Sequence, residues 1–307
     1  MSVLELVRSL NAVPNVSSST VPSGVESQRQ LAIVAACRAC DLPVLEVAAS
    51  QFREILAIQS LSVIAPNSDC AQIRSCLGRE VRVIPEDEFI VGMTLAQLRK
   101  LSVPHFPTAA GWYFQQLLKL QFAFVDTSDD YYLIWDADTV PLRPMTFFDA
   151  SGRMLLAKTT EYHPAYFETY RRILGEEPNQ EYSFITQHML VQKSVAREML
   201  ARIEQHVKGE GNWAWKIMRS LPKSGDNLFS EYETYGHYVK NHYPERVAIV
   251  ERAWRREYKL KLTRGTPSRS GIKKLARDLD YMAFEKSSKS WWRFLKSMRV
   301  RLTGGRT

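Results

Sequence analysis

Two aspartates, Asp136 and Asp138, close the segment Tyr131–Asp138 (YYLIWDAD). Carboxylates at this spacing offer hard oxygen ligands, which suit Mg²⁺ or Mn²⁺ carrying phosphates. Such a pair can hold a diphosphate leaving group. The five residues before them, Tyr131–Trp135, are all apolar or aromatic, the pattern of a strand buried on both faces of a parallel sheet. Ligands gather at the carboxyl ends of such strands, and a period of two turns both carboxylates to one side. Pro141 and Pro144 bar the strand from continuing. Asp is also common wherever a strand turns into a loop, so the metal reading rests on the buried strand ahead of the pair.

Other residues with chemical capacity lie on either side. A helix is expected over Gly111–Val125, where Trp112, Gln115, Gln116 and Lys119 recur at spacings of three and four and share a face. Buried amides need partners, and a sugar or phosphate would supply them. The plainer alternative is an amphipathic helix with its Trp in the core and its Lys solvated. A second helix, Leu228–Asn241, carries Glu231 and Glu233, with His237 and His242 close by. Either Glu is a candidate general base; exposed acids and a surface His are the bland reading. His188 sits in an apolar strand, Ser183–Val191, beside Gln187. Arg38 and Asp41 follow the first strand, Leu31–Ala36.

These groups need a scaffold, and the first 140 residues alternate strand and helix signals. Strands are expected at Leu31–Ala36, Leu61–Ala65 and Val81–Ile84, with helices at Val44–Ile58, Cys70–Leu77 and Thr94–Lys100. Such alternation indicates parallel βαβ units. No G-x-G-x-x-G or G-x-x-x-x-G-K-[ST] follows these strands, so dinucleotide and P-loop readings lose their support. Further elements are expected at Met154–Lys158 (strand), Pro164–Leu174, Ser194–Val207 and Trp213–Leu221 (helices), with no clear strand signal beyond Arg252.

Three segments, GWYFQQLLKL (Gly111–Leu120), YLIWDADTVPL (Tyr132–Leu142) and SEYETYGHY (Ser230–Tyr238), resemble the GT-A class of nucleotide-sugar glycosyltransferases, and within it a bacterial DxD family. The resemblance covers roughly Leu31 to Val250. It implies a GT-A-like, Rossmann-like α/β fold with a mostly parallel central sheet flanked by helices, and hexosyltransferase-like activity. It also implies Mn²⁺ or Mg²⁺ as cofactor. By the same resemblance Asp138 ligates the metal, Asp136 lies near the ribose or a metal-bound water, and His237 or His242 adds a third ligand. Arg38 and Asp41 would meet the base and ribose of a UDP- or GDP-sugar, and His188 would face the donor sugar and acceptor.

The chain has 307 residues and 45% hydrophobic content, enough for one large α/β domain. No run reaches 18 apolar residues, the length of a membrane span. The N-terminus does not read as a signal peptide, so a cytoplasmic location is expected. Four cysteines include Cys37 and Cys40 as C-x-x-C, with Cys70 and Cys76 at a wider spacing than zinc sites use; small buried thiols are the favoured account. Residues 252–307 hold 17 Lys and Arg against 4 Asp and Glu, which points to an anionic partner for that stretch. The organisation expected is a loose lead-in over 1–28, a catalytic domain over 29–251 and a basic extension over 252–307. Within the extension, a helix over Ser287–Leu302 puts Trp291, Phe294, Leu295, Met298 and Leu302 on one face, with Lys289, Arg293 and Lys296 opposite. That describes a helix lying on an anionic membrane surface, beside a glycan or lipid-linked acceptor on the inner face. Nucleic acid is not the expected partner. The alternatives are a nucleotidyl- or phosphotransferase, and a non-enzymatic membrane- or nucleic-acid-binding protein. The first lacks a Gly-rich phosphate loop, and the second leaves the DxD strand unexplained.

Overall fold

The computed structural model describes residues 31–56, 58, 60–101, 109–225, 227–256 and 269–284. The lead-in 1–28 and the tail helix Ser287–Leu302 lie outside these residues. In chain order the strands are β1 (Ala32–Ala36), β2 (Ser60–Ala65), β3 (Arg82–Pro85), β4 (Tyr131–Trp135), β5 (Thr139–Pro141), β6 (Met154–Ala157), β7 (His188–Gln192), β8 (Val247–Val250), β9 (Trp254–Arg256) and β10 (Tyr281–Ala283). The helices are α1 (Leu42–Ile55), α2 (Cys70–Leu77), α3 (Leu95–Leu98), α4 (Ala110–Gln121), α5 (Pro164–Leu174), α6 (Lys193–His206), α7 (Trp213–Ser220), α8 (Glu231–His242) and α9 (Arg269–Leu275).

A five-stranded sheet in the order β3-β2-β1-β4-β7 forms the centre. The first four strands run parallel and β7 pairs antiparallel to β4 at one edge. This is the mixed α/β architecture, mostly parallel and flanked by helices, that the alternating signals imply. The apolar runs explain why: side chains of β1, β2 and β4 are buried on both faces, as central parallel strands require. Trp135 and Tyr132 are fully buried, and Trp135 meets Phe52 of α1 edge to face at 5.3 Å. Each such ring contributes roughly 1.5–3 kcal/mol by leaving water.

Several expectations shift in detail. β4 stops at Trp135, and Asp136 to Asp138 form a turn closed by the Thr139 N–H donating to the Asp136 carbonyl at 3.0 Å. The two carboxylates are therefore placed by a turn and not by strand alternation. A short strand, β5, forms between the turn and Pro141 and joins a second sheet, ordered β5-β10-β9; it ends at Pro141. The strand expected over Ser183–Val191 is shorter and later, because residues 183–187 turn toward α8, with Gln187 at φ 66°. Strands β9 and β10 form beyond Arg252, where short, basic sequence masks any alternation. Cys37 and Cys70 are buried as expected, but Cys40 and Cys76 are exposed at loop and helix surfaces.

Candidate active site

The strand order places a topological switch between β1 and β4. From β1 the chain adds β2 and then β3 on one side, then returns to the other side of β1 as β4. In open α/β sheets the crevice at such a point, beyond the carboxyl ends of the strands, is where ligands bind. Arg38 and Asp41 follow β1, and Asp136 and Asp138 follow β4.

The aspartate turn is pinned from three directions. The indole Nε1 of Trp135 donates to the Thr139 carbonyl at 2.7 Å, tying the turn to the core. The Asp136 N–H donates to the Gln187 carbonyl at 3.0 Å, and the Phe284 N–H to the Asp138 carbonyl at 2.8 Å. Gln187 has a left-handed backbone although it is not glycine, a conformation that costs on the order of 1–3 kcal/mol and concentrates at functional sites. Nothing in the sequence marks it.

Around Asp136 the structure assembles a buried cluster from helices 112 residues apart in sequence. Lys119 of α4 donates to Asp136 Oδ1 and, at 2.8 Å, to Glu231 Oε1 at the start of α8. The Tyr232 hydroxyl donates to the same Asp136 oxygen at 2.8 Å. Gln116, one turn before Lys119, accepts from the Glu231 N–H at 3.1 Å and donates to the Trp112 carbonyl. Lys119 and Glu231 side chains are each 3% exposed and that of Asp136 is 21% exposed. One cation thus faces two carboxylates. Burial pushes the Glu231 carboxyl above its ordinary value; Lys119 opposes the rise and Asp136 adds to it. Burial alone would lower the Lys119 ammonium, but Asp136 and Glu231 outweigh it and keep the group above ordinary lysine. Burial, then the Asp136 charge, raises Tyr232 far enough to keep it a donor.

This cluster sorts the sequence candidates. Lys119, Gln116, Glu231 and Asp136 come together, with Tyr232, which the sequence reading overlooked between its two glutamates. Trp112 and Gln115 sit half-buried at the outer end of α4, and Trp112 packs on Tyr113. Glu233 turns the other way: it accepts from the Ser183 hydroxyl and, at 3.2 Å, from the Phe184 N–H. His237 lies 2.8 Å from Glu233, badly aligned for a hydrogen bond, among Phe167, Tyr170 and Phe184. His242 pairs with Glu176 at 2.9 Å. Neither His is brought to the aspartate turn. His188 is buried against Trp135, Phe147 and Tyr281, and burial, then Arg252, pulls its imidazole down to about 3. Arg38 is largely exposed, 3.7 Å from Asp41.

The donor set can hold a hard cation in one way. Among the described residues no group of three or more His, Cys, Asp or Glu forms a metal cluster. Lys119 and Tyr232 both bond Asp136 through Oδ1, and Asp138 follows it in the same turn. Mg²⁺-like ions are commonly held by one or two carboxylates, with phosphates and water completing the shell, so the residues fit a metal that arrives with a diphosphate.

Solved structures similar to this chain include the galactosyltransferase LgtC in complex with donor and acceptor sugar analogues, at 14% identity and a TM-score of 0.45, covering 87% of this chain and 94% of that one. Mouse xyloside xylosyltransferase 1 is similar at 11% identity and a TM-score of 0.42, covering 83% and 97%. The bifunctional glycosyltransferase WbbM is similar at 12% identity and a TM-score of 0.45, covering 89% of this chain and 48% of that one. At these values the likeness fixes neither activity nor substrate. No curated protein matches in sequence. A family model matches residues 36–263, well over half of the chain, and the protein therefore belongs to DUF6492, a family of unknown function.

Proposed function

We propose that the protein is a metal-dependent glycosyltransferase of GT-A type, hexosyltransferase-like, moving a sugar from a UDP- or GDP-sugar to a cell-surface glycan or its lipid-linked precursor. The observation that carries this reading is the Asp136–Asp138 turn at the switch point, with Asp136 gripped by Lys119 and Tyr232 next to Glu231. Asp138 and the second oxygen of Asp136 would hold Mn²⁺ or Mg²⁺. When bound, the cation stabilises the charge that develops on the departing diphosphate. Lys119 and Tyr232 fix the angle of Asp136, so the turn needs no rearrangement when the donor arrives. Glu231, raised by burial, is suited to take the proton from an acceptor hydroxyl.

Among the described residues no helix is long and apolar enough to cross a membrane. Attachment to an anionic inner surface through the basic stretch 252–307 belongs to the same proposal, and sedimentation with anionic vesicles at low salt checks it. The activity is tested by incubating the protein with UDP- and GDP-sugars, with Mn²⁺ or with EDTA, and following free nucleotide by NMR. Release from one donor only with metal supports the reading. Failure to turn over any nucleotide sugar, or equal release in EDTA, contradicts it.

A further inference from the structure

A concave region away from the aspartate turn is built from three segments. Residues 158–161 leave β6, residues 181–182 precede the turn toward α8, and residues 251–254 link β8 to β9. Together they line a cavity of about 440 Å³, within the roughly 300–1,000 Å³ range of small-ligand sites. Thr159 and Ser183 exchange backbone hydrogen bonds of 2.8 and 3.1 Å, which fixes Tyr182 opposite the segment 158–161. On the third side Trp254 stacks on Tyr281 at 5.5 Å and 17°. Arg256 donates to Glu161 and holds its guanidinium 5.1 Å from the Trp254 ring. Glu161 and Trp254 also border an adjoining cavity of about 300 Å³, lined further by Arg255 and Arg256.

The sheet β5-β10-β9 ties this wall to the aspartates. Ala283 pairs with Thr139 on one side and with Arg256 on the other. Two strand spacings of about 4.8 Å put Arg256 on the order of 10 Å from Thr139, the residue after Asp138. Strand β10 fills that interval, so the wall and the aspartate turn flank one strand of the same small sheet.

We propose that this cavity is a subsite for a neutral saccharide, which serves as the acceptor; its role as acceptor rests on the glycosyl-transfer reading above. Its walls match that chemistry. Tyr182 is a half-buried ring able to meet the C–H face of a pyranose while keeping a polar tip, and Trp254, with Tyr281 and Arg256 over its faces, offers its edge. Glu161 and Glu181 are acceptors for hydroxyl protons, and Arg252 is a donor to ring and hydroxyl oxygens. The charges balance, which favours a neutral ligand over an anionic one: Glu161 is paired with Arg256 and Glu251 with Lys158, leaving Glu181 and Arg252 as one charge of each sign. A lipid tail would find too little apolar wall.

The test uses the full chain and saturation-transfer NMR against neutral and anionic oligosaccharides, without nucleotide or metal. Tyr182→Ala and Glu181→Gln, both away from the aspartate turn, are compared with the wild type, and UDP binding with Mn²⁺ is measured in parallel. The expected result is transfer to a neutral oligosaccharide, reduced at least tenfold in affinity by either substitution, with UDP binding unchanged. Absence of neutral saccharide binding, a preference for anionic sugars, or equal binding by both variants overturns the proposal. Saccharide binding without UDP binding would sustain the subsite and refute the transferase reading; UDP binding without saccharide binding would do the reverse.

Discussion

Glu231 and Glu233 stand two residues apart on α8, both almost fully buried, and they keep opposite company. Glu231 points to Lys119 and Asp136 at the switch point of the sheet. Glu233 points to the 183–184 turn, where a hydroxyl and an amide N–H satisfy it and aromatic rings close around His237. Ser230 begins the helix and accepts from the Glu233 N–H at 3.3 Å. A Ser-x-x-Glu start ordinarily lets the Glu side chain reach back to the cap; here it leaves the cap and braces a neighbouring turn. α8 packs so closely there that a Cβ on Gly236 would lie 2.4 Å from the Phe184 ring. One carboxylate thus sits in a cluster with an unbalanced charge next to a crevice. The other sits in a satisfied, closed pocket. Charge balance among the neighbours, and not burial, separates the two groups.

The largest effect should come from Glu231→Gln. With donor binding intact, turnover should fall about 10²–10⁴-fold if Glu231 is the general base, whereas Glu233→Gln should leave the turnover of folded protein near wild type. Equal losses for both would erase the contrast. Lys119→Met leaves two carboxylates facing each other without a cation, and unfolding by urea should show a loss of about 3–5 kcal/mol. Adding Glu231→Gln to Lys119→Met should recover part of that loss, since it removes one of the stranded charges.

Glu233→Gln should cost less, about 1–3 kcal/mol, because the amide oxygen can still accept one of the two bonds. A urea titration showing no change would mean that the 183–184 turn stands without it. The smallest effect is a tilt with pH. The folded-state pKa of Glu231 is raised, so the folded protein binds the extra proton above 4.5. The stability this contributes is full below that value and is lost as pH rises through the folded value. Glu231→Gln should therefore gain thermal stability relative to wild type as pH increases, read from melting curves over a pH series.

Much of this was legible in the sequence. The runs LAIVAA, LSVIA and YYLIW each formed a central parallel strand, because continuous apolar stretches can be hidden only inside a two-sided sheet. The face shared by Gln116 and Lys119 is buried and partnered, but by Glu231 and the Trp112 carbonyl where a sugar or phosphate was expected. What stayed hidden depends on contacts between distant segments. Strand periodicity could not show that Asp136 and Asp138 sit in a turn held by Trp135 and Gln187. Glu233 and His237, four residues apart on α8, meet at the aromatic pocket and not at the aspartate turn. The wall made by Glu161, Tyr182 and Trp254 draws on three separate segments, too short to show a period.

The central claim is that the Asp136–Asp138 turn binds a nucleotide diphosphate through a divalent cation. Isothermal titration calorimetry of UDP and GDP into the intact protein, in Mn²⁺ and in EDTA, tests it, with Asp138→Asn as the matched variant. The account predicts binding of one nucleotide in Mn²⁺ that disappears in EDTA and in the variant. Binding of equal strength in EDTA, or unchanged by Asp138→Asn, would contradict it.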